Sequence, residues 1–198
     1  MARIMRIVLM IVAVSATAAL AEVIEFKKFD QNHSTIGFRV PIFGGFSHVK
    51  GKFTGFDIQL RYDPDDPLNS FVGATIDATT INTGIGERDT HLRSPDFLDT
   101  QSHPKIMFIS NRIEAREGGF TAFGKLSMRG VSQAIELPFE VTGLHKDEDS
   151  GKWMLGVHAT AALDRQDFGV EWRHPDPLFV GDSVFVEIDL ITRLTAGP

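Results

Sequence analysis

The sequence predicts an all-β fold of about eight antiparallel strands with one short helical insert, and three observations carry that prediction. Apolar residues recur at every second position in segment after segment. Clusters of Gly, Pro and Asp punctuate those segments, and no sustained helical period occurs. One apolar face per strand is what an antiparallel sheet with one solvated side requires.

Residues 1–21 read as an export signal ahead of the fold. Arg3 and Arg6 supply a positive start, Ile7 to about Ala16 an apolar stretch, and Ala19-Leu20-Ala21 a small-x-small cleavage site before Glu22. The run from Ile7 to Leu20 covers 14 residues, short of the roughly 20 that span a bilayer. The expected product is a periplasmic or secreted protein of one domain, residues 22–198, with no stable membrane insertion. The chain has no cysteine, which excludes a disulfide framework and thiolate chemistry. Its net charge is −6, and the two arginines leave with the signal, so −6 becomes −8. That balance argues against nucleic acid as a partner, and against a purely electrostatic hold on an anionic membrane.

Each strand shows the face it buries. In Thr35 to Val40 the apolar set is Ile36, Phe38 and Val40. In Phe56 to Tyr62 it is Phe56, Ile58, Leu60 and Tyr62, against Asp57, Gln59 and Arg61. Val72, Ala74 and Ile76 form a third set. Lys105 to Ser110, with Phe108, is apolar on both faces, and Phe120 to Met128, with Leu126, is a weaker strand. Ile135, Leu137, Phe139 and Val141 alternate with Glu136, Pro138, Glu140 and Thr142. Leu155, Val157, Ala159, Ala161 and Leu163 come next, then Val184, Val186, Ile188 and Leu190, opposed by Glu187, Asp189 and Arg193. Turns fall at residues 63–67, 117–119, 147–151 and 181–182, and Gly44-Gly45 marks a bend. Periodicity alone leaves a sandwich and a barrel both open. Inward alanines beside inward phenylalanines fit a hollow barrel or a tapered solid core equally well.

Between Thr83 and Phe97 the alternation stops. Glu87 to Arg93 has room for about two helical turns before Pro95, with Arg88, His91 and Leu92 on one face and Asp89 four residues before Arg93. Such an insert either plugs one end, anchored by Leu92 and Phe97, or lids it. The seven histidines show no metal-ligand spacing, no glycine-rich phosphate loop is present, and no cofactor is expected.

The string Arg88-Asp89-Thr90-His91-Leu92-Arg93-Ser94-Pro95-Asp96-Phe97 resembles the signature of the YceI-like family. Further blocks are similar to that family in the same order: residues 30–38, 47–56, Thr83-Gly84, 103–108, 124–131 and 164–170. The stretch Glu171 to Leu178 matches no fixed family pattern and is read as a loop at a barrel mouth. The resemblance implies a lipocalin-like barrel with a long apolar tunnel, an isoprenoid lipid inside it, a periplasmic setting and often a homodimer. It implies no catalytic residues.

On strand parity, the expected tunnel wall is Ile36, Phe38, Phe56, Ile58, Ile76, Phe108, Leu126, Phe139, Val157, Val186 and Ile188. Phe46, Leu92, Phe97 and Phe168 are expected at its ends, and Arg88, His91 and Arg93 are the nearest cluster for a polar head group. The competing readings are an enzyme acting on the lipid through His91 or His33, and a solid stress-response module.

Overall fold

The structure, a computed structural model, describes residues 23–192 except Lys28 and Pro64. The expected export signal and Arg193 lie outside the described residues. Among these residues the chain forms β1 (Ile24–Phe26), β2 (Thr35–Ile42), β3 (Ser47–Phe53), β4 (Phe56–Tyr62), β5 (Phe71–Asp77), β6 (Ile81–Asn82), α1 (Gly86–Arg93), β7 (Lys105–Arg116), β8 (Gly119–Met128), β9 (Val131–Lys146), β10 (Trp153–Asp164) and β11 (Ser183–Ile191). All eight expected strands are present, β4 with the expected bounds and the others longer by one or more residues. Three more were not read from alternation: β1, β3 and β6.

The strands make one antiparallel sheet in the order β1-β4-β5-β7-β8-β9-β10-β11-β2-β3-β6. The sheet curls into a barrel. At the turn after β5, the Asp77 amide donates to the Gly55 carbonyl at 2.8 Å, and Thr80 Oγ1 accepts from the Gly55 amide at 2.9 Å. These bonds fasten the β3–β4 turn to the β5–β6 turn.

Register sets large inward side chains beside small ones. Phe108 pairs with Ala74 on one side and Leu126 on the other, and Ala159 sits between Phe139 and Ile188. Two glycines belong to the same packing. A Cβ on Gly51 would fall 2.4 Å from the Phe38 ring, and one on Gly124 would fall 2.7 Å from the Phe108 ring. Both rings lie over backbone where a Cβ would collide with them.

Two bulges adjust the inward set. In β7 the pairing shifts between Ser110 and Arg112, so Ser110 and Ile113 are both buried although their numbers differ in parity. In β9 a shift opposite Gly156 and Val157 leaves Thr142 unpaired. The second apolar face of β7 is solvated, with Met107 43% and Ile109 53% exposed.

One end of the barrel is packed. Ile24 and Phe26 of β1 lie against Tyr62 and Leu155, all buried, with Phe29, Leu144 and Trp153 around them. Leu155 donates its amide to Thr192 Oγ1 at 3.0 Å, and both residues are fully buried. The opposite end carries α1, the β2–β3 hairpin tip and the loop over residues 171–180.

Candidate functional site

The barrel is hollow. A cavity of about 370 Å³ runs from Tyr62, Leu155 and Phe29 at the packed end to Phe97, Trp172 and Phe179 at the other. That volume falls in the range of about 300–1,000 Å³ found for ligand pockets. Alternation builds its wall, since each strand turns one face inward. Ala74, Ala159 and Ala161 all line it, and so do the Phe38, Phe108, Phe120 and Phe139 rings. The solid-core alternative is thereby excluded.

Most of the residues expected at the wall lie on it: Ile36, Phe38, Ile58, Ile76, Phe108, Leu126, Phe139, Val157, Val186 and Ile188, with Leu92 and Phe97 at the mouth. Three do not. Phe56 is half-buried at the first residue of β4, beside the fastened Thr54-Gly55 turn, and stays off the cavity. Phe168 is 2% exposed and buried in the core cluster that holds Ile106, Phe108 and Leu126, without lining the cavity. Phe46 stands 95% exposed just past the β2–β3 hairpin tip.

The expected polar cluster also divides. Arg88 and His91 reach the cavity with Leu92, because residues three and four apart share a helix face. Arg93 turns away and donates to the carbonyls of Thr79 and Ile81 at 3.4 Å. The expected Asp89–Arg93 pairing does not form. Asp89 is buried and accepts from both the amide and the hydroxyl of Thr83, at 2.8 and 2.5 Å. A buried carboxylate needs fixed donors, and Thr83 supplies two of them at once.

Arg88 completes this unit. Its Nε donates to Thr83 Oγ1 at 2.8 Å and its Nη2 to the Thr83 carbonyl at 3.0 Å. Its Nη1 group makes no hydrogen bond, and no carboxylate ion-pairs with it, among the described residues. A half-buried guanidinium therefore faces an apolar cavity with spare donors. His91 is held differently, with Nε2 3.0 Å from Asp96 Oδ2 and its ring edge-on to Phe97 and Trp172 at 5.0 and 5.3 Å.

Two features of the mouth were not predicted as site residues. Trp172 and Phe179 come from the 171–180 loop, and the composition of that loop, rich in aromatics and prolines, was the available signal. Arg165 is 5% exposed and also touches the cavity. It donates to the carbonyls of Val170 and Gly181 at 2.5 and 3.2 Å and to Asp182 at 2.7 Å, so its charge is spent on closing the loop. At the packed end, burial, with Asp63 alongside, pushes the Tyr62 phenol above its ordinary value. It stays neutral. No group of three or more potential metal ligands occurs among the described residues.

Curled sheet and apolar bore together define a lipocalin-like antiparallel β-barrel built around an internal cavity. The chain belongs to the YceI-like family: the model of the YceI-like domain matches residues 28–192. A UPF0312 protein of Pectobacterium atrosepticum is 31% identical over 156 residues, covering 79% of this chain and 80% of the relative. Among solved structures, BcnA of Burkholderia cenocepacia superposes with a TM-score of 0.74 at 21% identity, over 83% of this chain and 99% of that one. A polyisoprenoid binding domain from Saccharophagus degradans gives a TM-score of 0.61 at 15% identity, over 85% of this chain and 98% of that domain. At these identities both structural likenesses establish the fold.

Proposed function

We propose that this protein binds an isoprenoid lipid, either a polyprenyl chain or an isoprenoid quinone, and carries it through the periplasm without chemically altering it. The tail lies along the bore and the head group sits at the mouth beside Arg88 and His91. One observation carries this reading: the cavity wall is apolar from Trp172 to Leu155, while its few polar groups gather near the ends. The polyisoprenoid-binding domain that shares this fold supports the choice of ligand.

Energetics favour exchange over capture. Burying one methylene is worth roughly 0.8 kcal/mol, so about 40 carbons taken from water would pass the practical limit near 20 kcal/mol. A free polyprenol rests in a bilayer, however, and moving it into an apolar bore changes little. A carrier of that kind loads and unloads readily. Selectivity then comes from bore shape and from the Arg88 donors.

The polar groups support binding rather than catalysis. Arg88 and Arg165 cannot deprotonate at ordinary pH, Tyr62 is held neutral, and His91 is paired with Asp96 rather than with a nucleophile. His33, bonded to Asp30 at 3.0 Å, does not touch the cavity. The test is extraction of the purified protein with organic solvent, followed by mass spectrometry. A bound, unmodified isoprenoid is expected. Solvent extracts free of isoprenoid, from protein isolated without detergent, would overturn the proposal.

A further inference from the structure

Large apolar side chains crowd the outside of the cavity mouth. Phe46 is 95% exposed, Leu178 61% and Phe43 46%. They are neighbours. The Phe43 and Gly44 amides donate to the carbonyls of Phe179 and Leu178, and the Phe43 and Phe179 rings meet edge-on at 5.2 Å. A side chain as large and as bare as Phe46 buries nothing within this chain. Three such residues beside one opening form a rim rather than scattered exposure.

The charge of the hairpin selects what covers that rim. From Gln31 to Phe56 there is no acidic residue, in a chain of net charge −6, yet Arg39, Lys50 and Lys52 all fall there. All three are exposed, and none forms an ion pair among the described residues. Arg39 and Lys50 face each other across β2 and β3, and His48 lies 3.3 Å from Arg39. A basic hairpin with phenylalanine at its tip suits an interface that is anionic at the surface and apolar beneath it.

We propose that the mouth of the barrel docks on an anionic lipid bilayer, with Phe46, Phe43 and Leu178 entering the headgroup layer and Arg39, Lys50 and Lys52 against the lipid phosphates. The cavity thereby opens onto the membrane rather than onto water. No helix among the described residues is long and apolar enough to cross a membrane, and docking of this kind is peripheral. It goes beyond the binding proposal, because it assigns a surface outside the bore.

The experiment is flotation of the purified protein with vesicles of phosphatidylcholine alone, or of phosphatidylcholine and phosphatidylglycerol in equal parts. The protein is expected to float with the anionic vesicles, and salt should weaken that binding. Phe46→Asp and Leu178→Asp should each reduce the bound fraction about tenfold or more, with the melting temperature unchanged because both side chains are exposed. Lys50→Glu with Lys52→Glu should remove the preference for phosphatidylglycerol. Ile109→Asp, at a half-exposed apolar site on the outside of β7, should change nothing. Failure of the native protein to float, or equal flotation of the Phe46 variant, would overturn the docking. So would a dimer in sedimentation that Phe46→Asp dissolves while vesicles go unbound. A protein that yields an isoprenoid on extraction but never floats would leave the binding proposal standing and remove this one.

Discussion

The two ends of the barrel are built on opposite rules. At the packed end, Ile24, Phe26, Tyr62 and Leu155 bury one another, and Thr192 satisfies the Leu155 amide. At the mouth, aromatic rings lean on one another edge to face, Arg88 keeps unused donors, and Phe46 and Leu178 face solvent. The first end spends its side chains on stability. The second leaves them available, and so function is to be sought there.

The largest expected effect lies at the packed end. Phe26→Ala should lower the unfolding free energy by about 3–5 kcal/mol, measured by urea denaturation, because it empties a close-packed site. A cost under about 1 kcal/mol would mean that β1 is an ornament and that the contrast between the ends is false.

At the mouth the effect should appear in binding instead. Arg88→Ala should weaken a phosphate-bearing isoprenoid about tenfold or more, the loss of a charge-assisted bond of roughly 1.5–3 kcal/mol. A neutral isoprenoid of the same length should be little affected. Equal losses for both ligands, tracking a fall in melting temperature, would make Arg88 a strut for Thr83.

Between the ends, Val157→Trp puts an indole into the bore. Ligand occupancy should fall while the ligand-free protein loses less stability than the roughly 1–3 kcal/mol that overpacking costs in a filled core. Calorimetry of the extracted protein decides it, and a larger loss would argue for a collapsed interior.

The smallest effect concerns the outer wall. The His158 ring bonds to Asp189 at 2.8 Å across β10 and β11, and that hydrogen bond, outweighing desolvation, raises its pKa. Since the folded-state value is the higher one, the stabilisation is complete below about pH 6.5 and fades as pH rises through the raised value. His158→Gln should therefore lower the melting temperature at about pH 5 and leave it unchanged at about pH 9, with at most about 0.2–1 kcal/mol involved. A difference that grew with pH would contradict that pairing.

Strand alternation made the wall legible, because a period of two assigns each side chain to a face without knowledge of partners. What escaped it follows from the same rule. β1 and β6 are too short to display a period. In β3 the inward positions are Val49, Gly51 and Phe53, and the glycine that lets Phe38 lie across the strand erases the apolar signal. The bulge after Ser110 changes which numbers point inward, and nothing in the residues marks it.

The mouth was harder to read. Helix periodicity brought Arg88, His91 and Leu92 together, but spacing also suggested Asp89 with Arg93. The fold gave Asp89 to Thr83, six residues back in the sequence and close only because α1 folds over it. Phe46 had the composition of a wall residue and the position of a hairpin tip, and position decided.

The packed end has a consequence for measurement. A pipe open at both ends accepts a thread of any length, whereas a thimble has a depth. Because β1 and Leu155 pack the far side, the barrel would act as a gauge for the lipid proposed above. A chain that is too short leaves bare wall without partner atoms, and one that is too long leaves its surplus outside the mouth. Two or three methyl groups added at Ala74, Ala159 or Ala161 would recalibrate it.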